Sequence, residues 1–234
     1  MESANVVGYN NTEAEADFNW YAPQFLTVGA NTIDINSIQL DDGGAGMVGW
    51  GDSMQIVGPL GSAETTYAYF SDPAMDLSGK ATGPFWADAS GNSASVSFEI
   101  GYGIAIDNAN ALTFNIQNAG QVPSGKVTVP ARANFTYLGN PFPAPIHINA
   151  IQLKDEFGMV GWGDSMQIVG PLGSAKTTYA YFSDPSMDLS GKATGPFWAD
   201  SNGNSVDVTL QPGAGFAIDN ANGLTFNIEI ACPY

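Results

Sequence analysis

The chain is nearly without cysteine and histidine. It holds one cysteine, Cys232, in 234 residues, which excludes an internal disulfide, a CxxC redox pair and a thiolate zinc site. A link to a second chain is the one disulfide open to it. It holds one histidine, His147, and any Ser-His-Asp or Cys-His site would have to be built on that residue. His147 lies in PAPIHIN, a strand-like stretch with no imidazole at the matching place earlier in the chain, so it reads as a strand residue and no enzyme activity is expected. No Gly-rich phosphate loop and no HExxH is present.

Bases are scarce as well. Six Lys and Arg stand against 23 Asp and Glu, a net charge of −17. Such a field disfavours nucleic acid and anionic membranes, which need Lys or Arg to displace counterions. Charged residues total only 12%, about half the globular norm. The polar surface is therefore Ser, Thr, Asn and Gly, the dress of an extracellular or cell-surface protein. No apolar run approaches the roughly 18 residues of a membrane span. The opening Met1-Glu2-Ser3 is polar and lacks the basic start of a leader, as in a mature exported chain.

What is abundant is repetition. Residues 47–88 read MVGWGDSMQIVGPLGSAETTYAYFSDPAMDLSGKATGPFWAD, and residues 159–200 repeat them with two changes, Glu64 to Lys176 and Ala74 to Ser186. The flanks repeat loosely. Hydrophobic residues at 44% suffice for two cores, so the expected domains are 1–120 and 121–234, joined across AGQVPSG at 119–125.

The pattern is one of short strands. Residues 95–100 alternate, with Val96, Phe98 and Ile100 inward, and Tyr67 and Tyr69 share one face of a strand over 65–70. The phase breaks at Asn36-Ser37, which predicts a bend. Residues 52–57 and 65–70 should pair as a hairpin, and 103–107 with 112–116 as another. Asp72 followed by Pro73 reads as an N-cap and first turn, giving one short helix per domain. About eight strands per repeat predict an all-β fold of two tandem antiparallel β-sandwich domains, jelly-roll-like in type.

Three sets of residues are candidates for function. Trp50, Trp86, Trp162 and Trp198 could stack on sugar rings, and the competing reading places most aromatic rings in the cores. Asp107, Asn108 and Asn110, repeated as Asp219, Asn220 and Asn222, offer oxygens to a Ca2+ ion, although Asp and Asn are also ordinary turn residues. No other cofactor is indicated. The third set is charge. Residues 1–120 carry 14 of the acids and one of the bases. Glu13, Glu15, Asp17 and Glu64 on the first domain face an opposite bias in Lys126, Arg132, Lys154 and Lys176 on the second. That bias suits a head-to-tail contact between copies of the chain.

The stretch FTYLGNPFPAPIHINAI at 135–151, followed by GDSMQIV and by GAGFAIDNANGLTFNI at 213–228, resembles repeat domains of secreted and cell-surface bacterial proteins. The first copy departs from that pattern, with Tyr21-Ala22-Pro23-Gln24-Phe25 in place of GNPF. The resemblance implies an extracellular structural or adhesive unit and assigns no catalytic residue. The expectation is a self-assembling surface or filament protein. The alternatives are a bivalent glycan-binding, adhesin-like module and a capsid-like shell.

Overall fold

Runs of aromatic and β-branched residues only three to eight long, punctuated by Gly, Pro, Asn and Asp, favour strands and turns over helices. The computed structural model describes residues 7–43, 53–57, 63–109, 111–154, 165–169 and 175–234, with the backbone alone at 57, 63, 64, 169, 175 and 176. These residues form an all-β protein whose sheets are antiparallel throughout.

In the first half the strands are β1 (Val7–Glu13), β2 (Asp17–Tyr21), β3 (Thr32–Asp34), β4 (Ile38–Asp41), β5 (Ser53–Val57), β6 (Ala63–Phe70), β7 (Phe85–Ala87), β8 (Ser97–Glu99), β9 (Ile104–Asn108) and β10 (Asn115–Gln121). They build a five-stranded sheet in the order β2-β9-β5-β6-β7, a three-stranded sheet β1-β10-β4 and a pair β3-β8. The second half repeats the plan with β11 (Val127–Pro130), β12 (Asn134–Gly139), β13 (Ile146–His147), β14 (Ile151–Lys154), β15 (Ser165–Val169), β16 (Ala175–Phe182), β17 (Phe197–Ala199), β18 (Thr209–Leu210), β19 (Gly215–Asn220) and β20 (Asn227–Ile230). Its sheets are β12-β19-β15-β16-β17, β11-β20-β14 and β13-β18. The topology is the same strand for strand.

Each half has its own core. In the first, Met54, Tyr69, Trp86 and Ile106 from the large sheet meet Ile38 and Ile116 from the small one. In the second, Met166, Tyr181, Trp198 and Ile218 meet Ile151 and Ile228. Inward residues alternate along β4 and β14, whereas the central strands β9 and β19 are buried almost continuously.

Two expectations are corrected. Residues 103–107 and 112–116 do not form a hairpin, since β9 belongs to the five-stranded sheet and β10 to the three-stranded one. The buried Asn108 side chain donates to the Glu15 and Leu112 carbonyls and accepts from Leu112 N–H, carrying the chain from one sheet to the other. Nor does each half hold one short helix. Among the described residues each has two single 3-10 turns, Ile35–Ser37 and Pro73–Met75, repeated as Ile148–Ala150 and Pro185–Met187. The bend expected at Asn36-Ser37 is the first of these. Asp72 caps the second by accepting from Ala74 N–H at 2.9 Å, as predicted. The 52–57 and 65–70 pairing is observed as β5 with β6.

The halves meet along the edges of their large sheets through a reciprocal set of contacts. Tyr21 bridges to Ala214, and Leu138 bridges to Tyr102. Ala22 N–H donates to the Gly213 carbonyl and Gly139 N–H to the Gly101 carbonyl, both at 3.1 Å. Tyr21 and Ala22 occupy in β2 and its exit the places of Leu138 and Gly139 in β12. Gly213 and Ala214 likewise match Gly101 and Tyr102. Contacts that interchange in this way are isologous, so a pseudo-two-fold axis relates the halves. Trp20 and Tyr137, themselves equivalent, stack across it with centroids 4.9 Å apart and planes 18° apart.

Candidate functional site

The candidate residues separate into those the fold absorbs and those it leaves outside. Trp86 and Trp198 are fully buried, and their indole N–H groups donate to the Ile38 and Ile151 carbonyls at 2.7 and 2.8 Å. Each packs beside Tyr69 or Tyr181. They are core residues and present no face to a sugar. Trp50, Trp162 and Asn110 lie outside the described residues, as do the side chains of Glu64 and Lys176.

Two of the residues thought fit for calcium, Asn108 and Asn220, hold the backbone of their own turns. Asn220 repeats the Asn108 clamp, donating to the Arg132 and Leu224 carbonyls and accepting from Leu224 N–H. Asp107 and Asp219 lie within β9 and β19, and Asn222 in the turn after β19. Burial raises both Asp carboxyls above their ordinary range, and the Asp17 charge adds to this at Asp107. Among the described residues no three His, Cys, Asp or Glu side chains converge as a metal cluster.

Of the charged set, Glu13, Glu15, Asp17 and Lys154 are exposed. Lys126 pairs with Glu229 in its own half, and Arg132 lies over the Tyr102 ring. Both cations therefore have intrachain partners. His147 acts as a cap. Its Nδ1 accepts from Asn149 N–H at 3.0 Å, and its Nε2 lies 3.1 Å from the Asp207 carboxylate. Asp34 does the same for Asn36 N–H in the first half, so the histidine replaces a carboxylate in a structural task.

Sequence reasoning missed the most built feature of the surface, the loop between β6 and β7 and its copy between β16 and β17. Asp76 is buried under it. Its two oxygens accept from Ser78 N–H and Oγ–H, Lys80 N–H, Ala81 N–H and Ser93 N–H at 2.7–3.0 Å. Asp188 repeats every one of these bonds. Burial alone would raise the Asp76 carboxyl, but the N–H donors of Ser93 and Ala81, joined by Ser78, outweigh it and hold the group well below the usual carboxylate range. Asp188 behaves alike, with Ser205 as the leading donor. Leu77 N–H is tied to the Gly91 carbonyl at 3.1 Å, and Leu189 N–H to the Gly203 carbonyl.

On this brace stand apolar side chains in water. Leu77 and Leu189 are each 77% exposed, with Met75 and Met187 exposed beside them. In both sheets β2 or β12 lies at the seam and β7 or β17 at the far edge. The braced loops, hereafter caps, therefore stand at opposite ends of the molecule. Each also exposes one base and one acid, Lys80 with Asp72 and Lys192 with Asp184. Lys80 is the one base of residues 1–120.

No helix among the described residues is long and apolar enough to cross a membrane. Comparison with protein-family models, with curated proteins and with solved structures gives no match.

Proposed function

We propose that the chain is an extracellular structural protein, two β-sandwich domains in tandem, that polymerises end to end with copies of itself. The observation that carries this reading is the pair of equivalent, internally braced apolar caps at opposite ends of a pseudo-symmetric molecule. A cap meeting the same cap of another copy forms a two-fold contact. Leu77 and Met75 are then covered by their counterparts, and Lys80 of one copy is brought toward Asp72 of the other. Because every molecule has two caps, each closed contact leaves one end open, and growth continues. The exposed ion pairs contribute on the order of 0–1 kcal/mol each and set register more than affinity. Burial of two Leu and two Met side chains per junction provides about 1.5–3 kcal/mol for each one fully covered. This arrangement replaces a head-to-tail junction driven by opposite charge with a like-to-like junction driven by apolar burial. The cell-surface role rests on the sparse charge and on the resemblance to bacterial surface repeats.

Sedimentation velocity of the full chain tests it. The parent should form a ladder of oligomers that grows with concentration. Leu77→Asp or Leu189→Asp alone blocks one end and should stop assembly at the dimer, and the double variant should remain monomeric. A single-cap variant that still forms long polymers, or a parent monomeric at every concentration, would overturn the reading.

A further inference from the structure

The pseudo-two-fold seam creates two equivalent crevices, and they differ in a way that specifies a ligand. One is lined by Ile56, Glu99 and Tyr102 of the first half and Arg132 of the second, and measures about 110 Å3. It is plugged. The Arg132 guanidinium lies 5.4 Å from the centre of the Tyr102 ring, within the range of a cation–π contact. The other is lined by Ile168, Gln211 and Ala214 of the second half with Glu15 and Trp20 of the first, and measures about 320 Å3.

The linings correspond position by position. Ile168 stands for Ile56, Gln211 for Glu99, Ala214 for Tyr102 and Glu15 for Arg132. The last match is fixed by the clamps, because Asn108 donates to the Glu15 carbonyl where Asn220 donates to the Arg132 carbonyl. The ring that fills one crevice is thus a methyl group in the other, and the cation has become an anion. Glu13 lines the open crevice as well. So do Tyr21, 1% exposed, and Trp20.

We propose that the open crevice receives an arginine side chain presented by a partner polypeptide. The guest supplies from outside what Arg132 supplies in the plugged twin, a guanidinium on an apolar stem. Its charge meets Glu15 and Glu13, and its stem covers Ala214, Ile168 and the rim of Trp20. The net charge of −17 steers a basic partner toward the molecule, and the crevice selects which group enters.

The test uses the isotopically labelled full chain titrated with N-acetyl-arginine-N-methylamide and followed by NMR. Saturable shifts are expected at the Trp20 indole and at the Gly213 and Gly215 amides, and they should weaken as salt rises. The isosteric, uncharged N-acetyl-citrulline-N-methylamide should leave them in place. Glu15→Gln should weaken binding about tenfold, the loss of one charge-assisted contact. That variant keeps the backbone groups through which Glu15 bonds Asn19 and Asn108. A second variant, Ala214→Tyr with Glu15→Arg, rebuilds the plug and should abolish binding without lowering the melting temperature. Equal shifts from the citrulline probe, undiminished binding by Glu15→Gln, or no saturable shift at tens of millimolar would each overturn the proposal.

Discussion

At the scale of single residues, the molecule is organised by a few polar side chains that satisfy the backbone of tight loops. Asp76 and Asp188 have the largest effect, because one carboxylate serves four backbone N–H groups from two separate stretches. An amide cannot replace it, since the NH2 group of Asn would turn a donor toward those N–H groups. Asp76→Asn with Asp188→Asn should lower the melting temperature by several degrees at neutral pH. The pH dependence has a definite sign. A carboxyl whose folded-state pKa is depressed adds stability above its unfolded value, near 4, and loses it as pH falls toward the folded value. Parent and variant should therefore converge as pH is lowered from about 4 toward 2. Differential scanning calorimetry across that range checks it, and parallel curves would assign the stabilisation to something other than these charges.

At the scale of elements, the 3-10 turns show how different side chains perform one local task. Asp34 and His147 each accept from the N–H two residues on, at 2.8 and 3.0 Å, and so start the turn that separates β3 from β4 and β13 from β14. Those turns matter because the strands they separate lie in different sheets. Removing a cap of this kind costs about 0.5–2 kcal/mol. His147→Ala should destabilise the chain by that amount in urea, and His147→Asp should restore most of the loss. A His147→Asp variant no more stable than His147→Ala would show that the capping equivalence is wrong. The same residues explain why a lone histidine in this chain reads as architecture.

At the scale of the whole molecule, the seam is held by backbone approaching backbone. A Cβ added at Gly139 would lie 2.3 Å from the Ala22 Cβ and 2.9 Å from the Ala214 carbonyl oxygen, and one at Gly103 would lie 2.8 Å from the Leu138 carbonyl oxygen. Two of these three atoms are backbone oxygens, which yield only if the backbone shifts. Gly139→Val should cost about 1–3 kcal/mol as overpacking and weaken the Trp20–Tyr137 stack, visible in the near-ultraviolet circular dichroism. Gly195→Ala, where nothing lies within 4 Å, is the control. An unchanged spectrum and melting temperature for Gly139→Val would mean that the halves do not depend on this approach. Edges joined at β2 and β12 also place the two braced loops at the far ends of the molecule.

The amino-acid sequence by itself determined what local chemistry controls. Alternation in residues 95–100, the Asp72-Pro73 start, the break at Asn36-Ser37 and the duplicated stretch at 47–88 and 159–200 each act over a few neighbours, so each was legible without a fold. Only the tertiary structure decided which strand pairs with which. Residues 103–107 and 112–116 alternate well enough for a hairpin, yet alternation records a buried face and not the identity of a partner. Trp86 and Trp198 carried the same signal whether exposed or buried, and the sheets around them resolved it. Asp76 sits between Met75 and Leu77 with no local sign of its role, because Ser93, 17 residues on, supplies part of its shell. The seam and its unequal crevices depend on Trp20, Tyr137, Ala214 and Arg132, far apart in the chain and in its loosely repeated flanks. Their meeting follows from two edge strands coming together about a pseudo-two-fold axis, which no local pattern encodes.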